Sequence, residues 1–255
     1  MTPIPVPSSA GRRLLALLRQ GGVALLDLFF PPRCPGCGHV GDLFCRTCRA
    51  AVEPIREPTC RRCGRPMPQD TLCDDCRPHA SHLDGIVAAV VFAGPVREAI
   101  HSLKYGNGRA LAAPLAGYMV DAWRRTKLPA DCIVPVPLHA SRQAERGYNQ
   151  SALLARALAP AVGLPVDEKL VIRRKVTRQQ ALLNAVERRE NVKDAFLCQA
   201  AAAGKRIVLV DDVCTTGSTL EACAAAARAA DATSVWALTL ARARWLPGRP
   251  APDAG

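Results

Sequence analysis

The chain has 255 residues, of which 49% are hydrophobic and 22% charged. That is enough apolar material for one sizeable core beside a small module, and it excludes a disordered or low-complexity chain. The formal net charge of +12 suits phosphate-rich partners, whether a nucleotide-like molecule, nucleic acid or an anionic surface, although an Arg-favouring genome gives the same balance.

Residues 1–30 come first. Met1–Gly11 is rich in Pro, Ser and Thr and reads as a frayed tail. Leu14–Phe30 is interrupted by Arg19, Gln20, Gly21, Gly22 and Asp27 and is too short to span a membrane. It also lacks the small-residue cleavage site of a secretory signal. Its apolar residues recur at helical spacing, which predicts an amphipathic helix packed on the protein itself; weak membrane-surface association is the lesser reading. No stable membrane insertion and a cytoplasmic location are expected.

Residues 31–80 hold eight of the twelve cysteines. They form four C-x-x-C pairs: Cys34/Cys37, Cys45/Cys48, Cys60/Cys63 and Cys73/Cys76. The two-residue gap lets both sulfurs of a knuckle face one ion, so the pattern points to tetrahedral thiolate sites for up to two zinc ions. The simplest pairing is sequential, Cys34, Cys37, Cys45 and Cys48 on one ion and Cys60, Cys63, Cys73 and Cys76 on the other; a crossed arrangement and a single filled site stay open. A disulfide framework needs an oxidising compartment, an iron–sulfur cluster usually has other spacing, and a redox pair uses one C-x-x-C at a helix start. His39, His79 and His82 lie nearby as substitutes for a sulfur. The module has few large apolar residues, so metal is expected to supply its folding energy, in closed sites without room for a catalytic water.

After Pro78–Gly85 the pattern changes. Ile86–Phe92 predicts a strand, Pro95–Lys104 and Ala110–Arg125 helices, Cys132–Val136 a strand and Ser151–Ala159 a helix. Arg206–Val210 is a third strand, Gly217–Ala230 a helix and Ser234–Leu240 a fourth strand. Such alternation predicts an α/β domain over 85–245, a parallel sheet with helices on both faces. Residues 246–255 read as a second disordered tail.

The third strand ends in Val208-Leu-Val-Asp-Asp-Val-Cys-Thr-Thr-Gly-Ser-Thr219. An apolar strand delivers two adjacent carboxylates, and a Thr/Gly/Ser turn then enters a helix. Ligands of such sheets bind at the carboxyl ends of the strands. Backbone N–H groups and hydroxyls at a helix N-terminus cradle an anion, while the acids accept hydrogen bonds from a neighbouring diol. A phosphate beside a diol describes ribose 5-phosphate. Pro135–Gln150 follows a strand and reads as a pyrophosphate loop: it carries Arg142, Arg146, Asn149 and Gln150, suited to pyrophosphate through charge-assisted hydrogen bonds; Lys104 is a further candidate. For the arginines a solvated surface role is the plain alternative.

These twelve residues resemble the motif by which type I phosphoribosyltransferases bind 5-phosphoribosyl-1-pyrophosphate (PRPP). The resemblance assigns the ribose hydroxyls to Asp211 and Asp212, and the 5′-phosphate to Thr215, Thr216, Gly217, Ser218 and Thr219. Lys104-Tyr-Gly-Asn107, Val134-Pro-Val-Pro-Leu138, Arg146-Gly-Tyr-Asn-Gln150 and Arg173–Asn191 are similar to segments of the ComF family, as is the order of zinc module before transferase-like domain. The likeness runs from about Leu25 to Arg242. It implies a phosphoribosyltransferase-like fold, Mg²⁺ as the counter-ion of PRPP, and a link to competence, with single-stranded DNA or DNA-uptake proteins as partners. It also implies a mobile loop over Arg173–Glu190, bearing Arg173, Arg174, Thr177, Gln180 and Arg188, that closes on the site and excludes water. The acceptor is not implied, and a non-catalytic DNA-handling role with regulatory PRPP binding is the other reading.

Overall fold

The apolar runs after residue 85 become the strands of a parallel sheet in a computed structural model, which describes residues 31–105, 108–174 and 195–244. A short helix α1 (Arg46–Ala50) belongs to the cysteine module. Next come β1 (Gly85–Phe92), α2 (Gly94–Tyr105), α3 (Ala112–Thr126), β2 (Cys132–Pro135), α4 (Ala140–Arg146) and α5 (Gln150–Val162). The chain continues through β3 (Val171–Arg173), β4 (Phe196–Cys198), β5 (Arg206–Cys214), α6 (Ser218–Ala229) and β6 (Ser234–Ala243). The expected tails, the helix over 14–30, and Thr177, Gln180 and Arg188 lie outside the described residues. No helix among the described residues is long and apolar enough to cross a membrane.

The main sheet has the order β1-β6-β5-β2, and every pair in it is parallel. The central strands β5 and β6 are covered on both faces, which is why they read as continuous apolar runs without alternation. One face buries Ile100 and Leu103 of α2, Leu115 and Met119 of α3, and Leu154 and Leu158 of α5 against Val208, Val210, Leu238 and Leu240. The opposite face takes Leu220, Cys223, Ala224 and Ala227 of α6 together with Val171 and Phe196. Those last two residues come from an antiparallel β3–β4 pair. Each of its strands has three residues, too few to show a period, so the sequence gives no sign of it.

Helix ends follow local chemistry. Asn149 caps α5 by accepting the Ser151 N–H at 2.9 Å. The helix runs past the expected end at Ala159 to Val162, with Pro160 in its last turn. A seven-residue helix, α4, forms inside the stretch read as a pyrophosphate loop, with His139 as its cap.

The cysteine module rests directly on the sheet. Backbone bonds join Val91 N–H to Glu53 O at 2.9 Å and Ile55 N–H to Ala89 O at 3.0 Å, so residues 53–55 run antiparallel beside β1. Phe44, Cys34, Cys45 and Cys48 are buried in the same core as Val90 and Val96. At Gly64 a Cβ would lie 2.3 Å from the Ile86 carbonyl oxygen, so this knuckle can touch β1 only through a glycine.

Candidate functional site

Strand β5 outruns its neighbour: β2 stops at Pro135 opposite Val210, while β5 continues through Asp211 and Asp212 to Cys214. Both acids therefore stand at the carboxyl edge of the sheet. Asp211 Oδ1 accepts from Ser151 Oγ at 2.8 Å and from the Asp212 N–H at 2.9 Å. Asp212 Oδ1 accepts from the Val213 N–H at 2.8 Å. Its Oδ2 lies 3.3 Å from Lys104 Nζ, yet it is buried without a directed hydrogen bond. Burial and the adjacent Asp212 charge push the Asp211 carboxyl up to about 7.

Residues Thr215–Gly217 make the turn into α6. Gly217 has φ +81°, and its N-cap position offers no side chain to the first N–H groups of the helix. A helix entered through a glycine lets an anion approach its positive end closely. Thr216 Oγ1 takes the Ser218 N–H at 3.3 Å and the hydroxyls of Thr216 and Ser218 are 3.0 Å apart. Thr219 follows in the first turn of α6.

The basic candidates divide. Lys104 is placed against Asp212, at the acid pair. Arg146 donates to Gln150 Oε1, and its guanidinium sits 4.9 Å over the Tyr105 ring. Both ends of the Asn149 amide are engaged, by Ser151 N–H and by the Val136 carbonyl, which receives Nδ2 at 2.9 Å. Tyr148 donates to Leu103 O at 2.6 Å under the Arg109 guanidinium. Arg173 lies 5.3 Å over the Phe196 ring. Burial and the nearby Arg142 weaken its hold on a proton and Asp211 strengthens it, so these three share one field. Arg174 is exposed.

The eight cysteines gather as two clusters with sequential membership, Cys34, Cys37, Cys45, Cys48 and Cys60, Cys63, Cys73, Cys76. Within each, the sulfurs lie within 4.8 Å of one another. The Cys37–Cys45 and Cys63–Cys73 sulfurs are 3.5 and 3.8 Å apart; a tetrahedron with zinc–sulfur arms of ~2.3 Å has edges of ~3.8 Å. Although burial opposes it, N–H groups of Cys45 and Gly36 hold the Cys34 thiol down to about 6. Burial and the charges of their neighbours push the Cys48 and Cys76 thiols far up. Four sulfurs so close cannot all ionise without a cation, so the donor sets fit zinc. His39 pairs with Asp42 and His82 with Glu221, outside both clusters.

Comparison with known proteins agrees with this geometry. A double zinc ribbon family model matches residues 25–77, and a phosphoribosyl transferase domain model matches residues 148–250. The DNA utilization protein YhgH of Salmonella typhi is 36% identical over 69% of this chain and 80% of its own length. Competence protein F of Haemophilus influenzae is 34% identical over 75% of this chain and 89% of its own length. The chain belongs to the ComF family. Competence protein ComFC of Bacillus subtilis is a more distant relative, at 27% identity over 69% of this chain and 74% of its own. Among solved structures, a glutamine PRPP amidotransferase from B. subtilis overlays 62% of the chain and 34% of its own length with a TM-score of 0.42 at 20% identity, too loose a likeness to argue from.

In this ComF protein the sequence reading missed residues that act through a partner. Ser151 is fully buried and holds Asp211; its only sign is a polar residue on the core face of α5. Arg242, at the end of β6, donates to Cys214 Sγ at 3.0 Å. A cavity of 910 Å³ runs from Thr216–Ser218 along α6 to Cys63 and Cys76, so the phosphate turn and the second cysteine cluster border one space.

Proposed function

We propose that this ComF protein binds Mg²⁺–PRPP at the tip of β5 and transfers its phosphoribosyl group to an acceptor in the cytoplasm. The observation that carries the reading is the acid pair at the end of β5 beside a turn that enters α6 through Gly217. Asp211 and Asp212 accept the ribose hydroxyls, and Thr215–Thr219 take the 5′-phosphate. Arg142, Arg146 and Lys104, with Asn149 and Gln150 shaping their segment, face the pyrophosphate. Arg173, Arg174, Thr177, Gln180 and Arg188 belong to the segment that closes over it. In transfer, the bond from the ribose C1 to pyrophosphate breaks and its electron pair leaves with the pyrophosphate oxygen. A nucleophile of the acceptor forms the new bond and gives up its proton. Mg²⁺ supplies positive charge to the departing oxygens, and the guanidinium groups share that work.

Calorimetry with Mg²⁺ and PRPP tests the reading, with pyrophosphate release measured across candidate acceptors. Because a hydroxyl donates more strongly to a carboxylate than to a carboxylic acid, PRPP stabilises the ionised form of Asp211. Affinity is expected to rise through pH 7, falling ~tenfold per unit well below it, and Asp211→Asn should flatten that slope. Absence of binding heat between pH 6 and 8 rejects the reading.

A second reading, DNA handling with PRPP as a regulator, draws support from the names of the relatives and from Tyr105, which is 59% exposed beneath Arg146. Against it, arginines flanking the second cluster are already committed: Arg61 to Asp70, Arg65 to Asp75, and Arg62 to the carbonyls of Cys76 and His79. If the reading holds, single-strand affinity will fall steeply from 50 to 200 mM salt, by roughly 300-fold for six phosphate contacts. Salt-independent or undetectable binding removes it.

A further inference from the structure

Arg242 is a buried guanidinium, 7% exposed, whose register on β6 sets it between Cys214 of β5 and Val91 of β1. One of its nitrogens, Nη1, reaches Cys214 Sγ at 3.0 Å; another, Nε, is buried without a hydrogen-bond partner. It lines a cavity of 470 Å³ together with Cys73 of the second cluster and with Glu53, Asp74 and Asp75. Each of those carboxylates is taken by another arginine: Asp75 by Arg65 at 2.5 Å, Glu53 by Arg244 at 2.5 Å and Asp74 by Arg77 at 3.1 Å. Burial works against a charge on Arg242, and what restores it is sulfur: Cys214, Cys63 and Cys76. A buried cation without a counter-charge is strongly disfavoured. Four thiolates on one Zn²⁺ leave two negative charges over, so the filled second cluster is the anion that this part of the core lacks. The first cluster has no buried cation beside it among the described residues; its Cys34, Cys45 and Cys48 are built into the core of α2 and β1.

We propose that Arg242 is a positioning residue that couples the two halves of the protein: the charge of the filled second cysteine cluster holds its guanidinium in the core, and the guanidinium holds Cys214 and so the turn from Thr215 to Ser218. The two zinc sites then have different duties. The first builds core, and the second sets the shape of the phosphate turn. This concerns the order of the turn and stands whether or not PRPP is the ligand.

The test uses the full-length zinc-loaded chain and two readouts that need no PRPP: zinc released to a chromophoric chelator, and iodoacetamide labelling of individual cysteines resolved by peptide mass spectrometry. In Arg242→Met, one of the two zinc ions should leave at least ~tenfold faster, as expected when a buried charge loses its partner. Cys214 should label faster by a similar factor, while Cys223 on α6 and Cys132 on β2 stay as slow as in the wild type. Arg242→Lys keeps the charge without the fork, so it should hold both zinc ions and still free Cys214. Cys214→Ala should leave zinc release unchanged. Wild-type zinc release in Arg242→Met, or unchanged Cys214 labelling in both Arg242 variants, overturns the proposal. If Arg242→Met labels all three cysteines together it has unfolded, and Arg242→Lys decides: Cys214 alone accelerated supports the coupling, and no acceleration refutes it.

Discussion

Replacing Asp211 and Asp212 together by Asn will weaken PRPP binding by roughly 10²- to 10⁴-fold, because each lost charge-assisted hydrogen bond is worth about 1.5–3 kcal/mol. At position 211 the geometry makes this a clean substitution. An Asn at 211 still offers an oxygen to Ser151 Oγ and to the following N–H, the two donors now on Asp211 Oδ1. What disappears is charge. The sign of the effect on the fold separates binding from damage. Asp211 is held up at about 7, so its contribution to stability is present at low pH and is lost as pH rises towards that value. Asp211→Asn alone should therefore melt no lower than wild type at pH 8 while binding PRPP far less well. Asp212→Asn strands the Lys104 ammonium, 11% exposed, and should cost stability. Calorimetry beside thermal melts at pH 8 reads both quantities, and an unchanged dissociation constant in the double variant would falsify the assignment of the site.

Stripping the metal gives the other large effect. Each chain should carry two zinc ions, and chelation should remove on the order of 10 kcal/mol or more of folding free energy. Since a chain of this size shifts its melting temperature by about 2–4 °C per kcal/mol, the loss exceeds ~20 °C or abolishes the cooperative transition. The loss cannot stay within the ribbon, because Cys34, Phe44, Cys45 and Cys48 share the core that contains Val90, Val96 and Leu240. Scanning calorimetry with and without chelator, alongside metal analysis, checks this. A metal-free chain that melts like the holoprotein, or visible absorption from bound iron, would contradict it.

Much of this was legible before any coordinates, and the reason is local. Four C-x-x-C pairs, long apolar strands and the VLVDDVCTTGST run each carry their meaning within about a dozen residues. Features that depend on register were hidden. Arg242 meets Cys214 only because β5 and β6 align those positions, and Lys104 reaches Asp212 from a helix on the far side of the chain order. Pro135–Gln150 carries Pro137 and Gly147, which read as a loop, yet His139 caps a helix between them. Asn149 and Gln150 looked like ligands for pyrophosphate, and their side chains are bonded to Val136, Ser151 and Arg146.

The strip 53–55 that pairs with β1 has a practical consequence. A transferase-like fragment cut after residue 80 would present the outer hydrogen-bonding groups of an apolar strand, GIVAAVVF, to any passing copy. Such rims recruit further strands and precipitate. The ribbon is thus also the fragment's guard against self-association, and the two parts should be expressed as one chain.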